Sequence, residues 1–445
     1  MIGQLTCLGR HTVTGVLCSN GTQFRDWTAD YRFYSEGRFS EDAIFDCIRT
    51  GITQSLTSDE PLVAAMDDSL LRKRGRKVHG AKYQRDPLGP PFHTNLVLSQ
   101  RILQISAAIP NGNGSAEMIP VDFLHAPSPQ KPRPKASEEK WKEYEAAKVK
   151  SNINLSAATR LKHLRDSIDP KRKIIAVVDN RFTTSTLLQK FPQDMTFIGR
   201  ARSDSHLLTA VYERTGKPGR PKRYLAKAPT PLELLKDNSI SWQEITAFAA
   251  GETRTFKVKT IDQPLHWQAT GSRMKFRLIV VAPVKYRLSK ARGLNYRKPA
   301  FLLCSDPSLP LSKVLQYYLW RWGIEVNFRD EKTLLGAGEA QVRSASSTQK
   351  APALAIASYS LLLLAANNAY RSENHSLRLP MPKWRHQDRQ RRPSTNDLIN
   401  LLRVELWANS IDQIIFHDFC SSPEYHQKSK KLPSRLNSPM FYSSH

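Results

Sequence analysis

The order of elements legible in this 445-residue sequence predicts an α/β protein: a meander of three strands, then helix, strand, short helix and strand, a β-rich insertion, and a further helix. Three observations predict it. Two runs, "PLVAAMDD" and "RKIIAVVDNRF", are continuously apolar and end on carboxylates, the pattern of strands buried on both faces. The segments between them carry helix caps and charged faces. From 201 to 305, by contrast, alternating segments such as "TRTFKVKTI" and "KFRLIVVAPV" are bounded by Gly, Pro and Asp, which is strand patterning.

Residues 1–60 form an N-terminal segment expected to bind DNA or support a dimer. Within it "GRHTVTGVL" followed by "CSNGT" fits a small helix and turn, either of a DNA-binding head or of a first core helix. "RFSEDAIFDCIRTGI" is a clearer helix, with Ser40 as N-cap and Glu41 and Asp42 in its first turn.

Residues 61–200 make the first part of the main core. "PLVAAMDD" predicts a strand delivering Asp67 and Asp68 at its C-terminal end, and "TNLVLSQ" and "RILQISAAI" predict two more strands. "APSPQKPRPKAS" is a Pro-rich basic connector. "SEEKWKEYEAAKVKSNINLSAATRLKHLRDSI" is helical, with an interruption near Asn152. Ile174 to Val178 form the second apolar strand, ending on Asp179, followed by a short helix in "TTSTLLQKF" and a strand in "MTFIGRA".

After the insertion, residues 306–345 return to regular structure: "FLLCSDPSLP" leads into a helix favoured by Pro310 and Ser312. Residues 346–445 are a helical C-terminal region with a basic tail. The most apolar run there, "APALAIASYSLLLLAANNAY", is broken by Ser and Asn and is expected to be a buried helix rather than a membrane span.

Composition narrows the function. With 67 Lys+Arg against 40 Asp+Glu, the formal charge is +27, which favours a polyanionic partner because neutralised phosphates release condensed counterions. The five cysteines are scattered and form no CxxC pair that could seed a zinc site, as expected of reduced thiols in the cytoplasm. No signal peptide or membrane partner is expected.

The most informative stretch is "YLWRWGIEVNFRDEK", residues 318–332. On a helix of about 100° per residue, Tyr318, Arg321, Glu325 and Lys332 fall within an arc of about 60°. Leu315, Leu319, Trp322 and Val326 form a second stripe, expected to face the core. Taken alone, Arg321 and Glu325 are an ordinary i, i+4 pair worth a few tenths of a kcal/mol, and each strand-end aspartate could be a cap or turn residue. Together, however, three carboxylates from two strands and a helix can converge on two hard cations that prefer oxygen ligands. Such a pair supports in-line phosphoryl transfer. Arg321 suits bidentate phosphate contact, Lys332 a point-charge contact, and Tyr318 a hydrogen bond to phosphate or stacking on a base.

The spacing Tyr, two residues, Arg, three residues, Glu, six residues, Lys is similar to the signature of DDE-class insertion-sequence transposases of the hairpin-forming group. Tyr318, Arg321, Glu325 and Lys332 fill it without a gap, and the "MDDS" and "VVDNR" strand ends and the β insertion agree. The resemblance covers roughly residues 60 to 345. It implies a ribonuclease H-like catalytic core, a mixed sheet with flanking helices, interrupted by the β-rich insertion. It further implies that Asp67, Asp179 and Glu325 hold two Mg2+ (or Mn2+) ions per site. The activity implied is cut-and-paste transposition on double-stranded DNA, both element ends and target, by a homodimer that passes through a hairpin. Asp67 is preferred to Asp68 because the family pattern of Asp, any residue, then Ser or Thr is met by Asp67 and Ser69. Phe301 is either the aromatic that receives a flipped base or strand core. An endonuclease without strand transfer and an inactive DNA-binding repressor are the alternatives.

Three basic clusters complete the reading. "RKRGRK", residues 72–77, offers Arg72, Lys73, Arg74, Arg76 and Lys77 to DNA backbone, or is a solvated loop. "GKPGRPKR", with Arg220 at its centre, is a minor-groove hook or a basic turn. "KWRHQDRQRRP", residues 383–393, is a disordered arm or a further backbone contact.

Overall fold

A computed structural model describes residues 1–411, apart from 88, 91, 210–225, 262, 268–273, 288–292 and 373–392. Four helices lead the chain: α1 (Ile2–Thr6), α2 (Val13–Ser19), α3 (Thr28–Ser35) and α4 (Glu41–Ser55). The Ser40 hydroxyl accepts from the Ala43 N–H, so the expected cap forms.

Strand β1 (Leu62–Arg72) is buried from Leu62 to Met66, then continues six residues further than its apolar run. Asp67 and Asp68 therefore stand within the strand, not at its end, which corrects the sequence expectation. Their partner explains this: β3 pairs with β1 along the whole polar half, from Asp67↔Gln104 to Arg72↔Ser99. β3 (Leu96–Pro110) is itself one strand of 15 residues where two were expected. No Gly or Pro interrupts "LVLSQRILQIS", and Ser99 and Gln100 are fully buried in the ladder rather than forming a turn. β2 (Lys82–Arg85) covers one end of β3.

β4 (Ala116–His125), the other partner of β3, was not anticipated. Pro120 argues against a strand, but the register steps from Asp122 to Pro120 across Ile105 and Ser106, and the resulting bulge at Val121 accommodates the proline. α5 (Glu138–Lys150) and α6 (Ile153–Asp166) follow, divided at Asn152, whose side chain caps α6. Next come β5 (Ile174–Val178), α7 (Ser185–Leu188) and β6 (Met195–Arg200). The spatial order β4-β3-β1-β5-β6 has β3 antiparallel to both neighbours, while β1, β5 and β6 run parallel. This mixed α/β sheet with flanking helices is consistent with a ribonuclease H-like core.

The insertion contributes β7 (Leu207–Thr209), β8 (Ala226–Lys227), α8 (Pro231–Lys236), β9 (Gln243–Ala249), β10 (Glu252–Thr260), β11 (Leu265–Trp267), β12 (Lys275–Val281), β13 (Lys285–Tyr286), β14 (Asn295–Tyr296) and β15 (Ala300–Cys304). It does not stand apart. β15 pairs with β6 and β12 with β15, so the insertion extends the central sheet. Phe301 is buried in β15 opposite Val280, which makes it strand core. Arg220 and residues 383–392 lie outside the described residues.

The helix expected around residue 318 is two: α9 (Leu311–Trp320) and α10 (Trp322–Thr333), meeting at Arg321. α10 lies close on β4, since a Cβ at Gly323 would come within 2.3 Å of Met118 Cγ. Its buried residues are Ile324, Asn327, Phe328, Asp330 and Glu331. Trp322, expected in the core stripe, is 62% exposed; the step at Arg321 turns it outward while Leu315 stays buried. α11 (Ala345–Ser372) is long and apolar enough to cross a membrane by length and composition, yet it is mostly buried against β4 and α4. α12 (Thr395–Ile411) ends the described chain, and the Thr395 hydroxyl donates to Asp330 at 2.7 Å.

Candidate active site

The site begins with strand register. β1 and β5 are parallel neighbours up to Met66↔Val178, so the next pair in sequence is Asp67 and Asp179. Neighbouring strands lie about 4.8 Å apart and residues in register point to the same face, so the two carboxylates stand side by side. The electrostatics agree. The Asp67 carboxyl is pushed up to about 7, first by burial and then by the charge of Asp179, against the opposing pull of the Asp68 N–H and Arg321.

The helix face supplies the rest. Arg321 Nη1 is 3.4 Å from Asp67 Oδ2, and its Nη2 is 3.0 Å from Glu325 Oε1. One guanidinium thus spans the strand carboxylate and the helix carboxylate. Burial works against the Arg321 charge, but Tyr318, Asp67 and Glu325 outweigh it and hold the pKa above its ordinary value. Arg321 lies 5.7 Å from the Tyr318 ring centroid, and Tyr318 feels both Arg200 and Asp179. Burial is the main cause of the raised Tyr318 pKa. Lys332 Nζ is 2.6 Å from Ser69 Oγ, and Ser69 shares the β1 face of Asp67. Tyr318, Arg321, Glu325 and Lys332 therefore do share one face despite the step between α9 and α10, and that face lies along Asp67 and Ser69.

Beneath it, Gln104, the β3 partner of Asp67, donates to Glu331 Oε1 at 2.8 Å. Glu331 is fully buried, which pushes its carboxyl up to about 8.

Asp68 points to the other face of β1. Its side chain is 3% exposed, and Arg181 Nε lies 3.1 Å from its Oδ1. Its pKa is raised, by burial first, with Arg181 and Arg101 opposing. This neighbourhood was not expected from the sequence, although the Asp-x-Arg spacing of "VVDNR" contains its signal: the Asp179 Oδ1 accepts the Arg181 N–H at 2.8 Å, a local turn that aims Arg181 sideways.

The "RKRGRK" cations have unequal roles. Lys73 Nζ donates to the Gly338 carbonyl at 2.8 Å and is largely buried, tying this loop to the segment that follows α10. Arg72, though exposed, pairs with Asp86 at 2.8 Å. Arg74, Arg76 and Lys77 are exposed.

Among the described residues, the group offering three ligand atoms within 4.8 Å of one another is Asp42, Asp122 and His163; Asp67, Asp179 and Glu325 are not drawn that close together. The Asp42 group is filled by cations: Arg160 contacts Asp122 through Nε at 2.7 Å and Asp42 through Nη2 at 3.0 Å, and Arg49 lies 3.8 Å from Asp122. The candidate site is the reverse. Among the described residues Asp67 and Glu325 share the guanidinium of Arg321, and the buried Arg321 Nε has no hydrogen-bond partner. Hard oxygen donors short of positive charge fit divalent cations.

A mixed α/β sheet carrying Asp67 in β1 and Asp179 one residue beyond β5, with Glu325 on a helix against Asp67, is consistent with a DDE-type nuclease. The chain belongs to the DDE superfamily endonuclease family, which residues 1–263 match. That span contains Asp67 and Asp179 and stops short of Glu325, whose place in the site rests on the α10 geometry. No curated protein matches the chain.

Proposed function

We propose that this chain is a DNA transposase that excises an insertion sequence by phosphodiester hydrolysis and joins it to target DNA. The observation that carries this reading is the shared face: Asp67 and Asp179 each directly after the last paired residues of two parallel strands, with Glu325 joined to Asp67 through Arg321. Asp67, Asp179 and Glu325 would hold two Mg2+ or Mn2+ ions. When bound, these activate a water or a 3′ hydroxyl and stabilise the leaving oxygen.

The protein's own groups then position DNA. Arg321 takes a phosphate flanking the reacting one through its paired N–H groups, exchanging carboxylate for phosphate. Lys332, held by Ser69, adds a point charge, and Tyr318 a hydroxyl. Arg74, Arg76 and Lys77 track the backbone beyond, and the exposed indole of Trp322 offers a stacking surface next to Arg321. Passage through a hairpin, a homodimer on paired ends, and action in the cytoplasm on nucleoid DNA belong to the same proposal.

The test is to incubate the protein with linear DNA carrying candidate element ends, in Mg2+ and then in EDTA. Metal-dependent release of the ends followed by joined products is expected. Cutting without joining would make the protein an endonuclease, and binding without cutting a repressor.

A further inference from the structure

We propose that Asp68 and Arg181 form a clamp that sets the spacing and orientation of Asp67 and Asp179, so that both are positioning residues. The inference rests on reading those two aspartates as metal ligands. Two hydrogen bonds, one ion pair and the adjacency of two strands close a ring. The Asp68 N–H donates to Asp67 Oδ1 at 2.8 Å, and the Arg181 N–H donates to Asp179 Oδ1 at 2.8 Å. The residues that make these two donations form an ion pair, Arg181 Nε 3.1 Å from Asp68 Oδ1, without hydrogen-bond geometry, so that this buried oxygen has no hydrogen-bond partner among the described residues. The last paired residues of the parallel strands, Met66↔Val178, close the ring by bringing the residues that follow them, Asp67 and Asp179, near each other.

The clamp lies where the sheet stops holding the two aspartates together. β1–β5 pairing ends at Met66↔Val178, and the chain then turns away from β1 after Asp179. Past that point Asp68–Arg181 is the charged link between the two segments. Burial of the Asp68 carboxylate to 3% exposure is costly, and Arg181 and, more weakly, Arg101 offset that cost in part. One oxygen of each catalytic candidate is thereby fixed by a backbone N–H, and in Asp67 the other, Oδ2, is the one that faces Arg321. The adjacent aspartates thus divide the work by strand alternation: Asp67 faces the helix, and Asp68 holds the turn.

The test is the affinity of the full-length protein for Mn2+, read from free Mn2+ by electron paramagnetic resonance, alongside thermal unfolding and DNA binding in EDTA. Asp68→Asn and Arg181→Ala should each weaken Mn2+ binding about 10–100-fold, as outer partners of metal ligands do. Arg181→Lys should recover part of the loss, and Asp68→Asn should leave DNA binding in EDTA in place. Unchanged Mn2+ affinity with a lower unfolding temperature would overturn the clamp in favour of a merely structural ion pair. Loss of Mn2+ binding in Asp68→Asn as complete as in Asp67→Asn would make Asp68 a ligand and also overturn it. If instead Asp67→Asn binds Mn2+ normally, the metal reading itself fails, and that outcome is separable from the other two.

Discussion

Two clusters of ionisable side chains in this molecule differ in charge balance. At Asp42, Asp122 and His163, two guanidinia face two carboxylates, and Asp122 and Arg49 are each 2% exposed. Despite burial, Asp122 and Asp42 hold the Arg160 guanidinium above its ordinary pKa. That cluster is internally satisfied and ties α4, β4 and α6 together. At Asp67, Asp179 and Glu325, Arg321 pairs with Asp67 and Glu325, and Asp67, beside Asp179, is pushed up to about 7. The lesson is that proximity of acids does not mark a site; uncompensated proximity does, because the strain of like charges is relieved only by something added from outside.

The comparison can be broken most decisively at the third carboxylate. Glu325→Gln should lower Mg2+-dependent cleavage by about 10³-fold or more while leaving DNA binding near wild type, measured by end-cleavage and mobility-shift assays. Normal cleavage would remove Glu325 from the metal assignment. Arg321→Ala should slow cleavage and weaken binding of element ends by about tenfold or more; unchanged rates at every step would return Arg321 to an ordinary helix salt bridge.

Stability should separate the clusters with opposite signs. Asp122→Asn leaves two buried guanidinia short of a partner and should cost about 3 kcal/mol in denaturant unfolding, with Mn2+ affinity unchanged. Asp67→Asn should instead stabilise the metal-free protein at pH 8 by on the order of 2 kcal/mol. The sign follows from the raised carboxyl. Between its ordinary value of 3.8 and about 7 the folded protein binds more protons than the unfolded chain, so stability falls as pH rises through that window and stays low above it. A stability curve of Asp67→Asn parallel to wild type from pH 4 to 8 would show that Asp67 carries no such strain.

The smallest expected effect is at neither cluster. His125 is held down to about 4 by burial first, then by His79 and Lys73. As pH falls from 6.5 toward 4 the unfolded chain gains a proton that the folded protein refuses, so stability should drop by roughly 1–2 kcal/mol. His125→Gln should flatten that limb.

The elements legible in the sequence were those with strong local physics. Ser40 and Asn152 announce caps, and both caps form. The five apolar residues Ile174 to Val178 are a strand with every residue buried. The spacing of Tyr318, Arg321, Glu325 and Lys332 marks one helix face, and it holds across the step at Arg321, whose own backbone stays in the helical region at φ −49° and ψ −33°. What misled was equally local. Pro120 hid a strand that a bulge rescues, Ser99 and Gln100 suggested a break inside a strand, and Trp322 looked like core until the chain stepped beneath it.

Residue types and spacing along the chain fixed the candidate chemistry: three carboxylates, a guanidinium and an ammonium at intervals that suit phosphate and divalent cations. They could not say which of two adjacent aspartates faces the helix, which acidic cluster is already neutralised, or that Lys73 is tied to Gly338 rather than free. Those answers depend on the β1–β5 register, on the close approach of α10 to β4, and on cations brought in from more than a hundred residues away, such as Arg160 beside Asp42 and Arg181 beside Asp68. Side-chain alternation and long-range charge pairing are set only when strands and helices are packed, and no window of local sequence contains them.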